Sequence, residues 1–184
     1  MTARAKATAR IQMRLRELAQ LFNSLDPSPF MDRDLDNDAE EFIVSWAREH
    51  PRDHELELTL HLATPPPPER LAGVEEAVRH YFAARAQIKQ HELQQLMRRG
   101  RISLAIGLLF LGGCLFLAGF AAHLGTGAAA GVVREGLTII GWVAMWRPLE
   151  IYLYDWWPIR DEQRLLARLT RMRVRLVLPP ESKS

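Results

Sequence analysis

The chain has 184 residues, the length of one ordinary domain, and its 24 Lys and Arg stand against 22 Asp and Glu for a net charge of +2. That balance is too even to support a nucleic-acid partner, and a single cysteine, Cys114, excludes an internal disulfide. Mean hydropathy is only −0.13, because charged flanks dilute two strongly apolar runs.

Residues 1–9 are basic but have no apolar run behind them. They read as a disordered tail rather than a secretory signal, with an organelle transit segment as the alternative. From Ala9 to Arg16, I-Q-M-R-L-R alternates with period two and predicts a strand. A short helical turn follows, from Glu17 to Phe22. Asp26 to Pro29, D-P-S-P, breaks the chain.

Asp36 to His50 predicts a helix. Acidic residues crowd its start, Ala39, Phe42, Ile43, Trp46 and Ala47 make one apolar face, and Pro51 ends it. Glu55 to Leu62, E-L-E-L-T-L-H-L, is the strongest strand signal, with four leucines on one face and polar residues on the other. Pro65 to Pro68 reads as a polyproline II spacer. Glu69 to Arg99 is helical in pattern and leads toward the first apolar run, with Gly100 as a candidate joint.

Ile102 to Leu124 is 23 residues without a formal charge when His123 is neutral. As a helix it spans about 34 Å, enough for a bilayer core. It has no polar stripe, which argues against a buried soluble helix. A Gly/Ala-rich link, Gly125 to Gly131, separates it from a second span over residues 132–155. Lys89, Arg98, Arg99 and Arg101 precede the hairpin, Arg160, Arg164 and Arg168 follow it, and the link side offers only Arg134. By the positive-inside rule both termini are cytoplasmic. Tyr152, Tyr154, Trp156 and Trp157 then form an aromatic belt at the cytoplasmic interface.

Within the spans, Cys114, Ala118 and Ala122 recur every four residues, and Ala105, Gly112 and Gly119 every seven. Both patterns bring small side chains to a helix face. They suit an oligomer seam or packing against the second span through Gly136, Gly141 and Ala144. Arg147 and Glu150 are three apart and share a helix face, with Pro148 between them bending the helix and freeing the carbonyl of Ala144. The pair reads first as structural. An ion or proton path through an oligomer is the alternative. Arg98, Arg99 and Arg101 set topology and are candidates for lipid headgroups.

After the membrane, Pro158 suits a first helical position. Met172 to Leu178, M-R-V-R-L-V-L, predicts a last strand. Opposite charges place the strand bearing Glu55 and Glu57 between one with Arg14 and Arg16 and one with Arg173 and Arg175.

The domain plan is therefore a tail over residues 1–9, the first part of a cytoplasmic module over 10–100, a hairpin over 101–155, its completing helix and strand over 156–178, and a tail over 179–184. The fold class is an α/β membrane protein: a two-helix transmembrane hairpin with a small cytoplasmic α/β module of about three strands built from both termini.

No sequence motif supports catalysis, a cofactor or a metal. His50 and His54 are separated by Pro51, and the acidic run Asp32 to Asp38 lacks the glycine and glutamate of a calcium loop. The expected role is non-enzymatic: a membrane protein that self-assembles or anchors a cytoplasmic partner, with an ion channel or transporter component as the alternative. The expected partners are the bilayer, a second copy and an unidentified cytoplasmic protein.

The run Arg134 to Pro158, with G-W-V-A-M-W-R-P-L-E-I-Y-L-Y-D-W-W-P at its centre, resembles a signature in uncharacterised bacterial two-span membrane proteins. Leu21 to Phe30, L-F-N-S-L-D-P-S-P-F, is similar to part of the same family. The resemblance covers most of the chain. It implies the bacterial inner membrane, and it brings no catalytic residue with it.

Overall fold

A computed structural model of the chain describes residues 7–71, 73–124 and 127–179, with the side chains of Ala122 and Leu124 left out. The N-terminal tail before Ala7, the residues after Pro179, and Gly125 and Thr126 of the link lie outside the described residues.

Three strands form one parallel sheet in the order β1-β2-β3: β1 Thr8–Leu15, β2 Glu55–Leu62 and β3 Arg173–Val177. The acidic strand is central, as its charge pattern requires. Strand β1 starts at Thr8, inside the stretch expected to be tail. The parallel register sets Arg10 opposite Glu57 and Arg14 opposite His61. Arg14 and Arg16 are thus not the partners of the acidic residues. The charge pattern alone leaves strand direction open, and direction decides which arginine lands opposite.

Parallel strands need long crossovers. The first contains α1, Asn37–Glu49. Asp36 caps it by accepting a hydrogen bond from the Asp38 N–H at 3.1 Å, an arrangement worth about 1 kcal/mol. The second crossover contains both long apolar runs of the chain. It runs through α2 Pro68–Leu71, α3 Val74–Leu124, α4 Ala128–Ala144, α5 Trp146–Glu150, a π-helical segment Ile151–Asp155, and α6 Trp156–Leu169.

The chain divides into two compact units. The first joins residues 1–88 to 162–184, and the second is 89–161.

In the first unit, Ile11, Leu56, Leu58, Leu60 and Leu62 present one sheet face to a core. Ile43 and Ala47 of α1, Val74, Val78 and Phe82 of α3, and Leu166 and Leu169 of α6 fill it. Burial of each leucine contributes about 1.5–3 kcal/mol. Three helical segments cover this face rather than two, because the end of α6 joins α1 and the start of α3. Proline does not extend through residue 68 as a spacer: α2 begins at Pro68, where a missing N–H costs a helix nothing.

In the second unit, α3 passes through Gly100 without interruption, so Gly100 is not a joint. A Cβ there would lie 2.8 Å from Ile151 Cγ2 and 3.5 Å from the Tyr152 ring. The glycine serves close helix packing instead. The same holds at Gly107, against Met145, Ala144 and Pro148, and at Gly141, against Leu111 and Cys114. Helix α4 starts at Ala128, four residues before the expected start of the second span. Helix α6 starts at Trp156, so Pro158 is its third residue rather than its first. It still lies in the first turn, where N–H groups have no helical partner.

The two long helices are apolar enough to cross a membrane, with mean hydropathy 2.3 and 1.3 over their most apolar stretches.

Candidate functional site

The polar constellation of the second unit is built around Pro148. Its ring cannot donate to the carbonyl of Ala144, four residues earlier, so regular helix stops there. Met145 instead donates its N–H to Trp142 at 3.0 Å, a tighter turn that separates α4 from α5. Past α5 the backbone widens into the π-helical segment Ile151–Asp155. Such segments are rare and recur at functional sites.

The Arg147 guanidinium donates to Glu150 Oε2 at 2.9 Å through Nη1. The same nitrogen lies 3.4 Å from Asp155 Oδ2. Trp146 Nε1 donates to Glu150 Oε1 at 2.9 Å. One cation therefore meets two carboxylates, and the indole holds the nearer one. The spacing of Arg147 and Glu150 is legible in the sequence. Asp155 is not, because eight residues of regular helix separate groups by about 12 Å. The wider segment between them rises less per residue and brings them together. Arg147 is 63% exposed, so this cluster lies on the outside of the helix pair.

Of the aromatic residues, Tyr152 and Trp156 are half-buried and Tyr154 and Trp157 exposed, and they brace one another. Trp156 donates Nε1–H to the carbonyl of Tyr152 at 2.8 Å. Its ring centre lies 5.3 Å from that of Trp157, and the Arg160 guanidinium sits 5.3 Å over Trp156. Tyr154 and Trp157 point outward. Arg98, Arg99 and Arg101 are all exposed on α3.

The small residues divide between two faces. Cys114 and Ala118 are buried, and Cys114 meets Gly141. Gly112 and Gly119 have nothing within 4 Å of a built Cβ. They take no part in packing α3 against α4, and Ala105 is exposed with them. The Ala122 side chain lies outside the described set. Sequence reasoning missed the inner stripe of Gly100, Gly107 and Cys114, although its spacing of seven is plain in the chain.

In the first unit the polar sheet face centres on Glu57. It is 5% exposed, yet its carboxylate lies 3.3 Å from Arg10 Nε and 3.4 Å from Arg175 Nε. His61 shares that strand, and its Nε2 is buried without a hydrogen-bond partner. Arg14 and Arg173 extend the basic margin on the flanking strands.

Two further clusters tie this unit together. Tyr81 donates to Glu40 Oε2 at 2.6 Å, and Arg85 donates twice to Glu40 Oε1, at 3.0 and 2.8 Å. Burial, then the bond to Glu40, pushes the Tyr81 phenol well above its ordinary range. Burial works to lower the Arg85 guanidinium, and the bond and charge of Glu40 outweigh it, so the net shift is upward. Arg168, expected only to set topology, donates to the carbonyls of Pro51 and His54, both at 2.7 Å. It pins α6 to the turn ahead of β2, and burial lowers its guanidinium.

Among the described residues no cluster of His, Cys, Asp and Glu could hold a metal ion. No protein-family model, curated protein or solved structure matches the chain.

Proposed function

We propose that the chain is a non-enzymatic membrane protein of the bacterial inner membrane, with a two-span hairpin and both termini in the cytoplasm. The hairpin carries an α/β module that anchors a cytoplasmic partner or a second copy. The observation that carries the reading is the outer surface of the second unit. Leu109 is 78% exposed, Phe116 74%, Val143 65% and Trp142 62%. In water such a surface is an aggregation liability; in a bilayer it is the ordinary exterior of a span.

The organisation of the first unit supports the orientation. Residues on both flanks of the hairpin, up to Ile88 and from Glu162, belong to one compact unit. A unit assembled from both flanks requires an even number of crossings. The basic residues of the flanks then favour the cytoplasm. Self-assembly rests on Gly112 and Gly119, whose open face admits another backbone. The polar sheet face, with Arg10, Arg14, Arg173 and Arg175, suits an acidic partner.

The test is alkaline carbonate extraction of membranes from cells expressing the chain. Retention in the pellet is expected. Release into the supernatant would remove the membrane reading.

A second reading has one observation in its favour. Arg147, Glu150 and Asp155 form a polar cluster on the hairpin exterior. Several copies could gather these clusters around an ion path. Ion flux in vesicles reconstituted with the purified protein separates this reading from anchoring.

A further inference from the structure

The face of α3 that carries Arg99, Ile102, Ser103, Ile106, Gly107 and Phe110 borders an open groove of about 450 Å³ that Ala144 also lines. These positions follow the i, i+3, i+4 rhythm of one helix stripe. All but Arg99 and Ser103 are apolar, and the two polar groups lie at one end. Gly107 keeps the groove floor low: a Cβ there would come within 3.3 Å of the Ala144 carbonyl oxygen. Among the described residues no carboxylate pairs with Arg99.

We infer that this groove holds one anionic phospholipid, its phosphate at Arg99 and Ser103 and one acyl chain along Ile102, Ile106 and Phe110. The inference rests on the membrane reading above. Charge complementarity selects the headgroup, because Arg99 is an unneutralised cation beside an apolar slot. Length selects the tail. From Arg99 to Phe110 the helix rises about 16 Å, and one leaflet of the hydrocarbon core is about 15 Å deep. A chain entering at Arg99 therefore reaches the groove's end as it reaches the bilayer midplane. A soluble phosphate would satisfy the arginine and leave the slot empty.

The experiment is native mass spectrometry of the full chain purified from two vesicle types. One is phosphatidylcholine alone; the other is phosphatidylcholine mixed with phosphatidylglycerol. A retained phosphatidylglycerol adduct is expected on the wild type. Arg99→Gln should reduce its retention roughly fivefold or more, the effect of one interfacial cation. Ser103→Phe, which fills the slot, should remove it. Arg164→Gln carries the same charge change at an exposed residue outside the groove lining and should leave retention close to wild type.

Equal losses in Arg164→Gln and Arg99→Gln would show general surface attraction and overturn the site. So would an adduct of glycerol 3-phosphate as persistent as that of the lipid, since it would need no tail. Full retention in Ser103→Phe would do the same. Failure of the chain to remain with carbonate-washed vesicles would instead remove the membrane reading itself. Loss of the adduct from a chain that stays in the vesicles strikes only the groove.

Discussion

Arg147 and Asp155, eight residues apart in sequence, lie 3.4 Å from each other. The π-helical segment between Glu150 and Trp156 makes that approach. It changes what the charge cluster should do when it is cut. With two carboxylates on Arg147, removing one leaves the cation neutralised. Glu150→Gln alone is therefore expected to lower membrane-inserted yield only slightly. Glu150→Gln with Asp155→Asn leaves Arg147 bare and should lower it severalfold, consistent with about 2.5–3.5 kcal/mol for a lone arginine in a span. Adding Arg147→Met should restore most of the loss. Quantitative blotting of washed membranes measures all three; equal losses in the single and double variants would contradict the shared cation.

The glycines of α3 and α4 should separate by face. Gly141→Val forces a Cβ against Leu111 and Cys114, where the built contacts are 2.9 and 3.1 Å. Overpacking of this kind costs about 1–3 kcal/mol, and the yield of folded protein should fall. Gly112→Val and Gly119→Val meet nothing within 4 Å. They should leave folding intact and reduce self-association, read by mass photometry in detergent. Unchanged association in both would remove the second copy from that face.

On the sheet, Glu57 sits between two arginines that are themselves mostly exposed. Glu57→Gln frees them to water and should cost about 1 kcal/mol. Glu57→Lys places three cations together and should cost clearly more. Thermal unfolding followed by near-ultraviolet circular dichroism ranks the two, and the reverse order would show that Glu57 is not held by its arginines.

The loop ahead of α1 carries an acid-sensitive element. The Asp26 carboxyl is held below its ordinary value, first by the Asp34 N–H and then by Ser28. A lowered folded pKa means its stabilisation is complete above the unfolded value near ~3.9 and is lost as pH falls through the folded one. Nuclear magnetic resonance titration should place the Asp26 midpoint below that of a free aspartate. A midpoint at or above the free value would show that the two N–H contacts do not hold the charged form.

What was readable in advance depended on how local each signal was. E-L-E-L-T-L-H-L alternates on its own, and β2 occupies the very residues expected, Glu55–Leu62. The central place of that strand followed from charge. Its register did not, because Arg10, Arg14 and Arg16 alternate identically and only strand direction selects Arg10. The apolar runs announced two long helices. The division of small residues between an inner stripe at Gly107 and Cys114 and an outer one at Gly112 and Gly119 was hidden. Spacing marks a face without saying what meets it. Asp155 was hidden for a different reason: its approach to Arg147 depends on a departure from regular helix that Pro148 permits but no pattern marks. The bonds from Arg168 to the turn ahead of β2 join residues more than a hundred positions apart, beyond any local signal.

The most direct test of the central claim is labelling of a single cysteine at the α3–α4 link. Gly127 is exposed, and a Cβ there meets nothing within 4 Å. Its φ of −72° suits any residue. Gly127→Cys in a Cys114→Ala background gives one thiol for a membrane-impermeant maleimide applied to intact spheroplasts. A matching cysteine at Ser24 in the same background reports the module. The account predicts that position 127 is labelled from outside and position 24 only after lysis. Labelling of position 24 in intact spheroplasts, or protection of 127 until lysis, would contradict a hairpin with both ends in the cytoplasm.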